Sequence, residues 1–134
     1  MAGSFSDYLE LELLDHVFKV GSYTAPTNIY VGLTKTTITD AYTGTTVKGE
    51  ISGGAYVRKK CNTWDAASGG ATANTGAVTF AQATKNWGTV TYFFLADKTT
   101  LGNILCWGNL TTSKAVSSGD TLKFATGDID ITLA

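Results

Sequence analysis

The chain has 134 residues, with 10 Lys and Arg against 11 Asp and Glu, and only 16% of its residues are charged. That length suits one domain with a core that needs no disulfide staples, and the 43% hydrophobic share excludes intrinsic disorder. Arg58-Lys59-Lys60 is the only basic run, which argues against nucleic-acid binding by phosphate neutralisation, and no apolar run reaches the roughly 18–20 residues of a membrane span.

The residues Met1 to Asp7 carry no basic stretch and no apolar stretch, so no secretory signal is expected there. Ser6 is placed to cap a helix, with Asp7 and Glu10 near the positive end of its dipole. Leu9, Leu13 and Val17, together with Leu11, Leu14 and Phe18, recur at three- and four-residue spacings. The expected helix runs from about Ser6 to about Lys19, and Gly21 stands ready to stop it.

After Gly21 the period changes to alternation. Ile29, Val31 and Leu33 share one face of a strand from Asn28 to Thr34, with Pro26 just before it. Thr36 to Gly54 is rich in Thr and Gly and reads as a long loop. Ala55 to Asn62 reads as a strand with Val57 and Cys61 facing inward. Ala66 to Asn74 reads as a loop of small residues, and Gly76 to Ala81 as a short strand around Val78 and Phe80. The strongest strand is Thr89 to Ala96, whose Tyr92-Phe93-Phe94-Leu95 run suits burial on both faces.

Asp97 to Gly102 has the length of a hairpin connection to a partner strand over Asn103 to Leu110. Thr121 to Ala125 and Asp128 to Leu133 complete the chain, after a turn at Ser117-Ser118-Gly119-Asp120. One helix and seven or eight strands at short intervals predict an all-β fold. It is an antiparallel β-sandwich or jelly-roll-like barrel with one N-terminal α-helix. Residues 1–134 are read as a single domain, with the helix at about 6–19 and the sandwich at about 28–134. The 23 Thr and 15 Gly agree with this. Thr suits strand faces that meet water, and Gly suits tight turns.

Chemistry is sparse. His16, the one His, has no second His to share a metal and no catalytic partner nearby. Cys61 and Cys106 match no metal spacing and are expected as two buried thiols. Carboxylate pairs occur at Asp128/Asp130 and Glu10/Glu12; the Asp pair looks superficially like glycosidase carboxylates, yet alternation with Ile129 and Ile131 fits a solvated strand face. Gly53-Gly54 and Ser68-Gly69-Gly70 do not lead into a helix with a Lys, so neither is a phosphate loop. Asn109-Leu110-Thr111 matches a glycosylation acceptor that matters only in a secreted chain. Trp64, Trp87 and Trp107 suit the core or a contact surface, with a sugar-stacking platform as the alternative. No catalytic, cofactor-binding or metal-binding residues are assigned, and no enzyme activity is expected.

The order of several short motifs resembles a group of small bacteriophage virion structural proteins. They are Phe5-Ser6-Asp7-Tyr8-Leu9-Glu10, Leu13-Leu14-Asp15-His16-Val17-Phe18, Ile29-Tyr30-Val31-Gly32-Leu33 and Gly53-Gly54-Ala55-Tyr56-Val57-Arg58. Asn74 to Phe80, Trp87-Gly88-Thr89-Val90-Thr91, Leu110-Thr111-Thr112-Ser113-Lys114, Gly119-Asp120-Thr121 and Ile129-Asp130-Ile131-Thr132-Leu133 continue the likeness over nearly the whole chain. The resemblance implies a non-enzymatic virion component without cofactor.

A compact domain with no shaft or heptad suits a capsid decoration or cement protein. Such a protein sits on the outer capsid surface, bridges copies of the major capsid protein and forms a homo-oligomer, trimer or dimer. The alternative is a tail-fibre or other tail-associated receptor- or glycan-binding protein. Neither nucleic acid nor membrane is an expected partner. The helix from Ser6 to Lys19, or the Thr36–Gly54 loop, is the expected contact surface.

Overall fold

The computed structural model describes residues 3–133; Met1, Ala2 and Ala134, at the ends of the expected span, lie outside the described residues. Nine strands and one helix follow in order: β1 (Gly3–Phe5), α1 (Asp7–Val17), β2 (Tyr30–Thr34), β3 (Lys59–Lys60), β4 (Ala71–Ala73), β5 (Val78–Thr79), β6 (Gly88–Ala96), β7 (Ile104–Val116), β8 (Lys123–Phe124) and β9 (Asp130–Thr132). A five-stranded antiparallel sheet has the order β1-β7-β6-β2-β3, and two small ribbons pair β4 with β9 and β5 with β8. The fold is an all-β sandwich with one N-terminal helix.

The central sheet is buried on both sides, as the apolar run in β6 predicts. Phe93 and Leu95 join Val31, Leu33, Val78, Phe80, Phe124 and Ile129 in the main core, on the side of the two ribbons. Phe94 and Ala96 point the other way, into a second cluster with Ile38 and Ile104. Tyr42 and Val47, from the loop between β2 and β3, pack over that second cluster. The rings of Trp87, Tyr56, Phe80, Phe124 and Phe93 form a chain of aromatic contacts through the main core, with centroids 5.6–6.4 Å apart.

The long loop is tied down by one side chain. Arg58 is 4% exposed. Its Nε donates to Glu50 Oε1 at 2.7 Å, and its Nη2 donates to Glu50 Oε2 at 2.9 Å and to Gly44 O at 3.1 Å. Its Nη1 donates to Lys98 O and to Leu101 O, both at 3.0 Å. All five guanidinium N–H groups therefore have acceptors. The guanidinium also lies 4.9 Å above the centre of the Phe94 ring. That ring fits beneath it because β2 has no side chain there. A Cβ on Gly32 would stand 2.1 Å from Phe94 Cζ.

Four expectations are corrected by the structure. The stretch from Ala55 to Asn62 is not one strand: only Lys59–Lys60 pairs, and Gly53, Gly54 and Ala55 all have positive φ and make a turn instead. Val57 is exposed and Arg58 is buried, the reverse of the expected facing, because the acceptors that Arg58 needs come from distant loops; Cys61 is buried as expected. The small-residue stretch over 66–74 is not wholly loop, since Ala71–Ala73 pairs with Asp130–Thr132. The helix begins and ends within the expected span, but Lys19 at φ 66°, not Gly21, is the left-handed stop. Val20 N–H and Gly21 N–H both donate to Asp15 O across that turn.

Two outcomes follow. Arg58→Ala strands a mostly buried Glu50 carboxylate and three carbonyls, so it should cost about 3 kcal/mol in urea unfolding. A loss below about 1 kcal/mol would contradict the role given to Arg58.

The second concerns pH. Burial pushes the Cys106 thiol from its ordinary value of 9.0 up to about 12. Burial, and then Glu50, raise the Tyr56 hydroxyl as well. Both folded values lie above the unfolded ones. Their contribution is therefore complete below the unfolded values and is lost as pH rises toward the folded ones. Melting temperature should fall from pH 9 to pH 12, and Cys106→Ala should flatten part of that fall.

Candidate functional site

The residues most able to do chemistry are spent on structure. His16 Nδ1 accepts the Tyr23 N–H at 3.2 Å, so the ring ties the helix to the segment after it. Cys61 and Cys106 are both free and buried. Asp128 Oδ2 accepts the Ala125 N–H at 2.7 Å and so caps a turn, while Asp130 lies exposed in β9 with Ile129 fully buried between them. Glu10 and Glu12 lie on α1, and Asn109 lies within β7, opposite Tyr92. Gly53 and Gly54 form their turn over Lys85, and Trp87 Nε1 donates to Gly54 O at 2.9 Å. Ser68 bridges to Ala71 across Gly69-Gly70 in a tight turn. Among the described residues there is no group of three or more potential metal ligands, and no helix is long and apolar enough to cross a membrane.

Each Trp is at least partly buried. Trp87 is buried, and Trp64 and Trp107 are half-buried. Their indole N–H groups donate to Cys61 O at 2.9 Å and Asp40 Oδ1 at 2.8 Å. All six Tyr are half-buried. Phe18 is the one exposed aromatic side chain among the described residues.

A groove of about 650 Å³ opens beside β7, where the β6–β7 register shifts between Val90 and Tyr92. Over that shift β6 advances two residues and β7 five, from Lys114 to Asn109, so three extra residues of β7 swing outward. Leu110, Lys114, Asp120, Leu122 and Lys123 line the groove. Its carboxylates are already used in turns: Asp120 Oδ2 accepts the Ser117 N–H at 2.9 Å, as Asp128 does that of Ala125.

The surface that stands out is α1. Its N-terminus is anchored to the sheet. Ser6 is fully buried, and its hydroxyl accepts the Leu9 N–H at 3.2 Å and donates to Ile104 O. Ser6 N–H donates to Leu105 O at 2.9 Å, and Asp7 N–H to Asp40 O at 2.9 Å. Tyr8 and Leu9 pack on the main core. Burial, then the charges of Glu12 and Asp97, raise the Tyr8 hydroxyl above its ordinary value.

The opposite side meets solvent, and apolar side chains stand there among exposed Asp7, Glu10 and Asp15. Leu11 is 63% exposed, Leu14 55%, Val17 62%, Phe18 71% and Val20 78%. Leu11, Leu14 and Phe18 stand at i, i+3 and i+7, one seam along a helix face. Helix periodicity locates both apolar seams in the sequence, but only tertiary contacts say that Leu9 and Tyr8 point inward while the Leu11 seam does not. Apolar patches of more than a few hundred Å² are rare on monomers and mark interaction surfaces. The arrangement can bind protein.

The family model of podophage GP4 fiber I protein gp80 matches residues 4–132. No curated protein matches the chain.

Since the seam residues are supported from behind rather than buried, Leu11→Ser, Leu14→Ser and Phe18→Ser should each change stability by no more than about 0.5 kcal/mol at low protein concentration. Ser6→Ala, which removes the cap and the bond to Ile104 O, should cost about 1–2 kcal/mol. Urea melts of the four variants check this, and equal losses at all four positions would mean the seam is part of the core.

Proposed function

The chain belongs to the family of podophage GP4 fiber I protein gp80, a structural protein of the phage virion, and from that premise we propose that it serves in a fibre of the particle, acting by protein contact and not by catalysis. The observation that carries the reading is the family match over residues 4–132. The chemistry is consistent with it. His16, Asp128, Cys61 and Cys106 are engaged in a helix tie, a turn and the core, and the exposed apolar seam of α1 is the contact surface.

A fibre component must hold its shape under load and attach at a defined place. The sandwich, buried on both faces of its sheet, supplies the stiff body. The helix supplies an attachment face whose side chains are already in position, so binding costs little ordering. A decoration or cement protein on the outer capsid, bridging major capsid proteins, needs the same two properties. The fibre reading is preferred because the family is described by its fibre.

Immunogold labelling of intact virions carrying an epitope-tagged copy of the chain separates the two. Gold confined to appendages is the expected result. Gold spread over the head, with heads lacking the protein losing DNA at lower temperature, would replace the fibre reading with capsid decoration.

A further inference from the structure

We propose that the groove beside β7 is a binding site for a neutral oligosaccharide. The proposal does not depend on where in the virion the chain sits. It rests on how the groove is built, on what its walls still offer, and on their charge.

One wall is made by an irregularity in the central sheet. Four β7 residues, Leu110 to Ser113, stand opposite the single Thr91 of β6, between the pairs Val90↔Lys114 and Tyr92↔Asn109. A bulge of that size gives up ladder bonds, and bulges gather beside binding sites, where they re-aim side chains. On the other side of β7, β1 pairs only as far as Gly108, so among the described residues no strand pairs with the bulge there. The space left open is about 650 Å³, within the range of small-molecule sites.

The polar groups around that space are unspent. In the long loop the hydroxyls of Thr34, Thr36 and Thr46 donate to backbone carbonyls. Thr111, Thr112 and Thr121 line the groove, are exposed, and hydrogen-bond to nothing among the described residues. Lys114 and Lys123 are exposed there too, and the ion pair of the described residues is Arg58 with Glu50, elsewhere. Asp120 and Asp128 each accept a turn N–H through Oδ2, which fixes the carboxylate and leaves Oδ1 without a protein donor. Beneath these groups Leu122 and Phe124 are buried and supply an apolar floor.

These groups select the class of ligand. Two Lys and two Asp cancel, so an acidic ligand would gain at the ammonium groups and lose as much at the carboxylates. Ammonium groups donate, carboxylate oxygens accept, and Thr hydroxyls do both. A sugar ring matches that mixture, because each of its hydroxyls is donor and acceptor at once and its C–H faces suit an apolar floor. An extended peptide would need an unbroken strand edge to pair with, and the bulge removes it. With Phe124 buried, no ring stands open for stacking, so selectivity comes from the polar wall.

A glycan array carrying neutral, acidic and cationic oligosaccharides tests this with the labelled full chain. The strongest binder is then titrated into isotope-labelled protein and followed by amide shifts. Binding should be confined to neutral glycans, and the shifts to residues 110–116 and 120–124, the two walls of the groove. Thr112→Val and Thr121→Val keep side-chain shape and remove a hydroxyl. Each should weaken binding several-fold, and the pair about ten-fold, with the urea midpoint unmoved.

An array silent at every neutral glycan, binding led by acidic glycans, or shifts centred elsewhere on the chain would overturn the proposal. So would a response of the same amides to a hexapeptide of alternating Val and Thr in place of a glycan, since the groove would then take a strand. A silent array leaves the fibre reading standing, whereas gold on the capsid head removes that reading and leaves the glycan site intact.

Discussion

A single buried guanidinium organises the loop side of this molecule. Burying an ion costs several kcal/mol unless its charge and every donor are met. Arg58 meets that condition with the Glu50 carboxylate and the carbonyls of Gly44, Lys98 and Leu101. Those acceptors come from two places that β pairing alone would not join: the loop between β2 and β3, and the turn between β6 and β7. Glu50 is held in turn by the Tyr56 hydroxyl, which also accepts the Leu33 N–H from β2. The loop, the hairpin and the central sheet are therefore one hydrogen-bonded unit. Gly32 and Gly44 are the space requirements of that unit. A Cβ at Gly44 would meet Leu101 O at 1.9 Å, just as one at Gly32 would meet the Phe94 ring.

The abundance of Thr has a related origin. On strand faces Thr meets water, as composition suggests. In the long loop it does more. Thr34 Oγ1 and Thr36 Oγ1 both donate to Lys48 O, at 2.7 and 2.6 Å. Thr46 Oγ1 accepts the Thr43 N–H at 2.7 Å. Short hydroxyl side chains satisfy backbone groups where no ladder is available. That lets a segment with almost no regular structure lie flat over the Phe94 cluster. A chain that is polar without being charged is thereby also one whose loops are firmly bonded.

Much of the architecture was legible in order of signal strength. The helix was readable because its caps and its 3.6-residue period agree, and Ser6 is the N-cap that the sequence indicates. β6 was readable because four large apolar residues in succession leave few alternatives. The ribbons were harder. Ala71-Thr72-Ala73 has no hydrophobic contrast, and it pairs only because Asp130–Thr132 arrives from the far end of the chain. β1 pairs with β7 across about a hundred residues, with nothing local to announce it. The burial of Arg58 is not legible for the same reason, since its acceptors lie in other segments. The contact surface was half legible. Two apolar seams on α1 are visible in the spacing, but which of them meets solvent depends on where the sheet stands.

That last point bears on why the seam stays exposed. An isolated helix of 11 residues is marginal in water. Here Tyr8 and Leu9 on the sheet side, with the bonds of Ser6, do the stabilising, and the outer seam contributes almost nothing to folding. A chain selected only for stability would gain solubility from Lys or Glu at positions 11, 14 and 18, at no cost to the core. Instead the outer face holds two leucines and the one exposed ring. Fixed to a rigid sheet, these side chains lose little freedom on docking, so most of the apolar area they bury appears as affinity. On the proposed reading, folding and assembly are divided between the two sides of one short helix.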